Sequence, residues 1–200
     1  MSTGNKINKP HRHCNTVHEY LSVILEEKYI YTIEKIANLL DMRQPYIQNN
    51  FINKLDTLEI DIDNKGLIKE ALRWYYNTPF IFMPEPTYDL LKQFAKYQSI
   101  LRKRILIKES SVINLIYDIF KMEVKIKGED GKIIKTNIPL TDDIVYLIFN
   151  NRLYGTKALK EYLGLEHDTQ LYRKLNNTLH IKLVCEDPSN KNNRVRYILL

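Results

Sequence analysis

The chain has 200 residues, 44% of them hydrophobic and 27% charged, enough for one domain of ordinary size or two small ones, each with its own core. No window approaches the roughly eighteen uninterrupted apolar residues that a membrane span needs, Met1 to Asn15 lacks the apolar segment of a secretory signal, and the two cysteines, Cys14 and Cys185, have neither disulfide-framework nor zinc-ribbon spacing, so a cytoplasmic protein is expected. The net charge of +6 admits a polyanionic partner and is unevenly spread: residues 1–85 hold 10 Lys and Arg against 11 Asp and Glu, 86–139 hold 11 against 6, and 140–200 hold 9 against 7.

Met1 to Thr16 is polar and aperiodic, carries Lys6, Lys9 and Arg12, and reads as a flexible basic arm. Val17, Tyr20, Leu21, Ile24 and Leu25 recur at helical spacing and predict a first helix. Thr32 is the expected cap of a second, Ile33 to Leu40, with Ile33, Ile36, Ala37 and Leu40 on one face. After a break at Asp41-Met42-Arg43, a third helix runs from about Gln44 to Leu55, with Pro45 tolerated in its first turn and Ile47, Phe51 and Leu55 facing inward. Leu58 to Ile62 alternates apolar and acidic and predicts a strand, followed by a turn at 63–66 and a helix over 67–76. Pro79, Pro84 and Pro86 form a stiff connector and the expected domain boundary.

Beyond it the pattern predicts a long helix from Thr87 to about Leu106, with Lys92, Lys96, Arg102, Lys103 and Arg104 on its polar side, and then an apolar helix from Ser111 to Met122. Segments 124–127 and 132–138 flank Gly128-Glu129-Asp130-Gly131, a hairpin signal because glycine supplies positive φ. From Thr141 three further helices are expected: one to Phe149, one from Gly155-Thr156 to Leu163-Gly164, and one from Asp168 or Thr169 to Leu179 with Leu171, Leu175 and Leu179 inward. Strands over 181–186 and 194–200, joined by an Asn-rich loop, then have the layout of a wing.

Residues 32–55 resemble the helix-turn-helix of bacterial DNA-binding proteins. Ala37 matches the small residue at the helix crossing, Met42 the apolar plug of the turn and Ile47 the lock of the third helix, while Asp41 stands where glycine is usual. Aspartate tolerates the left-handed conformation better than most residues. Residues 142–200 resemble a winged helix: Gly164 and Leu165 match the turn, Lys160 occupies the small-residue position, and the turn is one residue longer. The tandem arrangement is similar to transcriptional repressors and to plasmid replication initiators.

That resemblance implies two recognition helices, and Asn, Gln and Arg are the side chains that meet base edges bidentately. The first offers Arg43, Gln44, Gln48, Asn49, Asn53 and Lys54; the second offers Gln170, Arg173, Lys174 and Asn177; the wing adds Lys191, Arg194 and Arg196 for phosphate or minor groove. His11, His13, Cys14 and His18 supply ligand-type side chains within eight residues at a spacing that matches no common zinc motif, so no metal or other cofactor is expected. Glu123-Val124-Lys125, with Asp118, Glu129 and Asp130, superficially resembles a metal-dependent nuclease constellation, a minor alternative to a non-enzymatic binding protein.

The expected fold is mainly α with small β-hairpins: a flexible arm (1–16), an N-terminal helix-turn-helix domain (17–78), a connector with central helices and a hairpin (79–139), and a C-terminal winged-helix domain (140–200). The expected function is sequence-specific binding of double-stranded DNA, as a transcriptional regulator of the repressor kind or alternatively as a replication initiator or partition-type protein. The central helices are the expected contact of a homodimer, and no membrane partner is implied.

Overall fold

A computed structural model describes residues 10–62, 73, 92, 105–185 and 194–200. Among them are strands β1 (His11–Cys14), β2 (Tyr29–Tyr31), β3 (Thr57–Ile62), β4 (Ile105–Lys108), β5 (Phe120–Lys127), β6 (Ile133–Pro139), β7 (Tyr154–Gly155), β8 (His180–Cys185) and β9 (Arg194–Leu199). The helices are α1 (Val17–Leu25), α2 (Ile33–Leu39), α3 (Gln44–Phe51), α4 (Glu109–Ile119), α5 (Asp142–Asn150), α6 (Thr156–Leu163) and α7 (Asp168–Asn176), with a 3-10 turn at Ile52–Lys54. No helix among these residues is long and apolar enough to cross a membrane.

The expectation of a mainly α chain with small hairpins is corrected. The strands assemble into a four-stranded sheet, β1-β3-β4-β2, and a five-stranded sheet, β6-β5-β8-β9-β7, so the fold is a mixed α and β one. The physical reason lies in pairing over long sequence separation: β5 hydrogen-bonds to β8 through Phe120↔Cys185, Lys121↔Val184 and Met122↔Leu183. The central hairpin and the C-terminal hairpin are thereby one sheet.

The chain divides into two compact units whose boundaries also differ from those expected. One gathers the described residues up to Ile33 and those within Asn53–Val112; the other gathers Glu34–Ile52 and Ile113–Leu200. Nearly all of α2-α3 therefore belongs to the same unit as the C-terminal elements. The expected boundary at Pro79 to Pro86 lies outside the described residues, as do the helix over 67–76 except Arg73 and nearly all of the long helix from Thr87; Arg73 and Lys92 are helical, and the long helix's expected end at Leu106 is instead in β4.

In the first unit the end of the expected flexible arm is structured. His11–Cys14 pairs in parallel with β3, from His11↔Glu59 to Cys14↔Ile62, and Cys14 is buried. Thr16 then starts α1 through a capping box: its Oγ1 accepts the Glu19 N–H at 3.1 Å while Glu19 Oε2 accepts the Thr16 N–H at 3.3 Å. α1 buries Leu21 and Ile24 completely. The Tyr29 hydroxyl donates to Asp56 Oδ1 at 3.1 Å, alongside the β3-β4 pairing.

In the second unit α4 buries Leu115, Ile116 and Ile119. Phe120, Leu183, Cys185 and Ile198 are fully buried on one side of the five-stranded sheet. On the other side Tyr197 packs with Tyr154, Leu159, Leu171 and Leu175, which places α6 and α7 on that face.

Among the described residues the order helix, strand, helix, helix, strand occurs twice, as α1-β2-α2-α3-β3 and as α5-β7-α6-α7-β8. In the sheets β4 lies between β2 and β3, as β9 lies between β7 and β8.

Candidate nucleic-acid interface

The two helix-helix turns are built alike. Asp41 adopts φ 48° and Gly164 φ 64°, both left-handed. Each turn closes with a hydrogen bond to a residue five positions back, from Met42 N to Ala37 O at 2.8 Å and from Leu165 N to Lys160 O at 2.9 Å, the Schellman arrangement that ends a helix without orphaning its carbonyls. Met42 and Ala37 are buried as plug and crossing residue. The extra residue of the second turn is present: α3 opens three residues after Asp41 and α7 four after Gly164. Lys160 fits the crossing position because its ammonium reaches Asp168 Oδ1 at 2.7 Å, a carboxylate in the first turn of α7 where the helix dipole favours negative charge.

α3 buries Ile47 and Phe51 and exposes Arg43, Gln44, Gln48 and Asn49; Asn53 and Lys54, in the 3-10 turn after it, are also exposed, and Leu55 is buried beyond. α7 buries Leu171 and Leu175 and exposes Gln170, Arg173, Lys174 and, at its C-cap, Asn177. Leu179, expected to face inward, is instead 72% exposed because α7 stops at Asn176 and the chain turns into β8. Gln170 is also a capping residue, since its Oε1 accepts the N–H groups of Glu166 and His167, each at 3.2 Å, from the third position of the helix.

The wing residues divide. Lys191 lies outside the described residues. Arg194 is half-buried, its guanidinium carbon 3.9 Å from the centroid of the Tyr46 ring on α3, and Tyr46 packs edge-on against Phe51. Arg196, expected to reach phosphate, is corrected: it is 7% exposed, and it donates from Nε to Leu40 O at 2.9 Å and from Nη2 to Asp41 O at 2.7 Å. The Asp41 carboxylate in turn accepts the Gly155 N–H at 2.7 Å at the start of α6. Burial pulls the Arg196 guanidinium below its ordinary range, and the nearby Asp41 carboxylate opposes that shift. Arg196 thus holds the first helix turn on the strand β9, a role hidden in the sequence because its partners are backbone carbonyls 155 and 156 positions away.

The remaining candidates are dispersed. Glu123 is ion-paired with Lys182 at 2.8 Å and Asp130 with Lys132 at 3.0 Å. Among the described residues no group of His, Cys, Asp and Glu is arranged to hold a metal ion. Arg12, His13, Cys14, His18, Glu19 and Glu27 line a cleft of about 410 Å³ in the first unit, in which Arg12 bonds to Glu27 and burial pushes the Cys14 thiol up. Compared with protein-family models, curated proteins and solved structures, the chain matches none of them.

Proposed function

We propose that this is a cytoplasmic protein that binds double-stranded DNA sequence-specifically, in the manner of a transcriptional regulator, through the outward faces of α3 and α7. The observation that carries the reading is the double occurrence of one local design: a left-handed residue and a Schellman closure set a short helix whose apolar side packs on the core and whose amide and basic side faces solvent. Arg43, Gln48 and Asn49 on the first helix and Arg173 and Lys174 on the second have the donors and acceptors that base edges and phosphates require. Phosphate attraction supplies affinity and the amides supply discrimination.

Selection of bound fragments from a random duplex pool tests this directly. Enrichment of a defined site is expected, and absence of any duplex binding at about 50 mM salt overturns the reading. Arg173→Ala should weaken the selected site by roughly 1–3 kcal/mol and relax preference at some base positions, whereas Lys191→Ala should weaken all sequences and reduce the salt slope by about 1. Equal losses from both on selected and random DNA contradict that sorting.

A second reading, a replication initiator, is favoured by the recurrence of a helix pair closed by the same kind of turn, α2-α3 and α6-α7, which resembles the tandem layout of such proteins. Two unlike readers in one chain call for an asymmetric site, whereas a repressor homodimer calls for an inverted repeat. The symmetry of the selected fragments separates the two.

A further inference from the structure

The hairpin β5-β6 extends beyond the sheet that carries it. Of β5, only Phe120, Lys121 and Met122 pair with β8, whereas β6 follows β5 from Lys121↔Pro139 to Lys127↔Ile133. Residues 123–127 and 133–137 are therefore a two-stranded ribbon, and most of their side chains are exposed. The turn beyond is set by Gly131, at φ 77°, and by the Gly128 N–H donating to Lys132 O at 2.8 Å.

Strand alternation sorts this ribbon into two faces. One carries Lys121, Glu123, Lys125 and Lys127 of β5 with Ile133, Lys135 and Asn137 of β6, and the other carries the exposed pair Ile126↔Ile134. Lys125 and Lys135 are directly opposite one another, an arrangement in which like charges about 5 Å apart at Cβ destabilise a hairpin. The one carboxylate of these strands, Glu123, is already taken by Lys182. The register also fixes which side of the sheet the lysines occupy: Lys121 pairs with Val184, Val184 with Val195 and Lys182 with Tyr197, so the lysine face is continuous with the face that α6 and α7 cover.

We infer that this ribbon is a second phosphate-contacting arm, in which Lys125 and Lys135 straddle the backbone of the duplex that α7 reads. The inference rests on the proposed DNA binding and deepens it by adding a sequence-independent contact flanking the site. Its warrant is charge complementarity: a polyanion relieves the Lys125–Lys135 repulsion, and the arm is on the side of the sheet that presents α7.

The test is the salt dependence of binding to a fixed duplex, followed by fluorescence anisotropy with the full chain and with the double variant K125Q/K135Q. Two lost phosphate contacts should lower the magnitude of the slope of log Kd against log salt by about 1.8 while leaving base preference unchanged. Because both lysines are exposed, the variant should fold, and its low-salt melting temperature should equal or exceed that of the parent. If the parent binds duplex and the double variant keeps the parent's slope, the arm is not a DNA contact and this inference falls while the DNA reading stands. If the parent ignores duplex DNA, both fall together. If instead the slope is kept and the variant alters self-association in sedimentation, the hairpin serves a second copy of the chain, which likewise overturns the assignment.

Discussion

Asp41 combines three demands in one side chain. Its backbone is left-handed at φ 48°, its carbonyl accepts from Arg196 and its carboxylate accepts from the buried Gly155 N–H. Asparagine meets all three, so Asp41→Asn should change stability by no more than about 0.5 kcal/mol. Alanine leaves a buried donor unpaired and should cost about 2–3 kcal/mol in chemical denaturation. Gly155 is constrained from the opposite side: a Cβ there would lie 2.8 Å from Asp41 Oδ2. Gly155→Ala should therefore destabilise by about 1–3 kcal/mol, and the double change Asp41→Gly with Gly155→Ala should cost less than the sum of the single changes, since removing the carboxylate removes the clash. Additive losses in that cycle contradict the contact.

The helix α7 shows how one residue can serve both folding and recognition. Gln170→Ala removes the acceptor for two backbone N–H groups and should cost roughly 1 kcal/mol of stability, whereas Gln170→Glu keeps an acceptor and should restore it. Restored stability without restored DNA binding would separate capping from base contact. Packing of this helix on β9 also buries Tyr197, whose hydroxyl is pushed up to about 12 by burial, and Tyr20 on α1 is pushed up to about 12 for the same reason. A tyrosine held neutral keeps its proton in the native state after the unfolded chain, with a value near 10, has released it. These two rings should accordingly leave stability unchanged below pH ~10 and lower it between about pH 10 and 12, by roughly 2–3 kcal/mol each across the full window. Tyrosinate absorbance checks this: Tyr20 and Tyr197 should ionise late in the native protein and normally in denaturant.

For the molecule as a whole, the discontinuity of the second unit is the consequential feature. Residues 34–52 supply the carbonyls that Arg196 uses and the ring that Arg194 stacks on, although both arginines belong to the last strand. A fragment spanning 113–200 alone should thus be less stable than the same region in the full chain, because it leaves a buried guanidinium without its acceptors. Arg196→Met should partly rescue the fragment and should destabilise the full chain by about 3 kcal/mol, measured by denaturant midpoints. A fragment that melts as cooperatively as the full chain, with no gain from the methionine, would show the clamp to be dispensable.

Local chemistry made much of this legible in the sequence. The period of Ile47, Phe51, Leu171 and Leu175, the turn residues Asp41 and Gly164 and the glycines of the hairpin are nearest-neighbour or helical-repeat signals, and the elements they announce are present, apart from ends shifted by a few residues. The strands β2 and β7 are too short to display alternation, and β1 was hidden in a polar stretch. What only tertiary structure decided is how those pieces are joined: that the central hairpin completes a five-stranded sheet, that α2-α3 belongs with the C-terminal elements, and that Arg196 points inward to backbone carbonyls. Those outcomes depend on hydrogen bonds between residues roughly 60 to 156 positions apart, and periodicity and propensity, which act over a few residues, carry no information at that range.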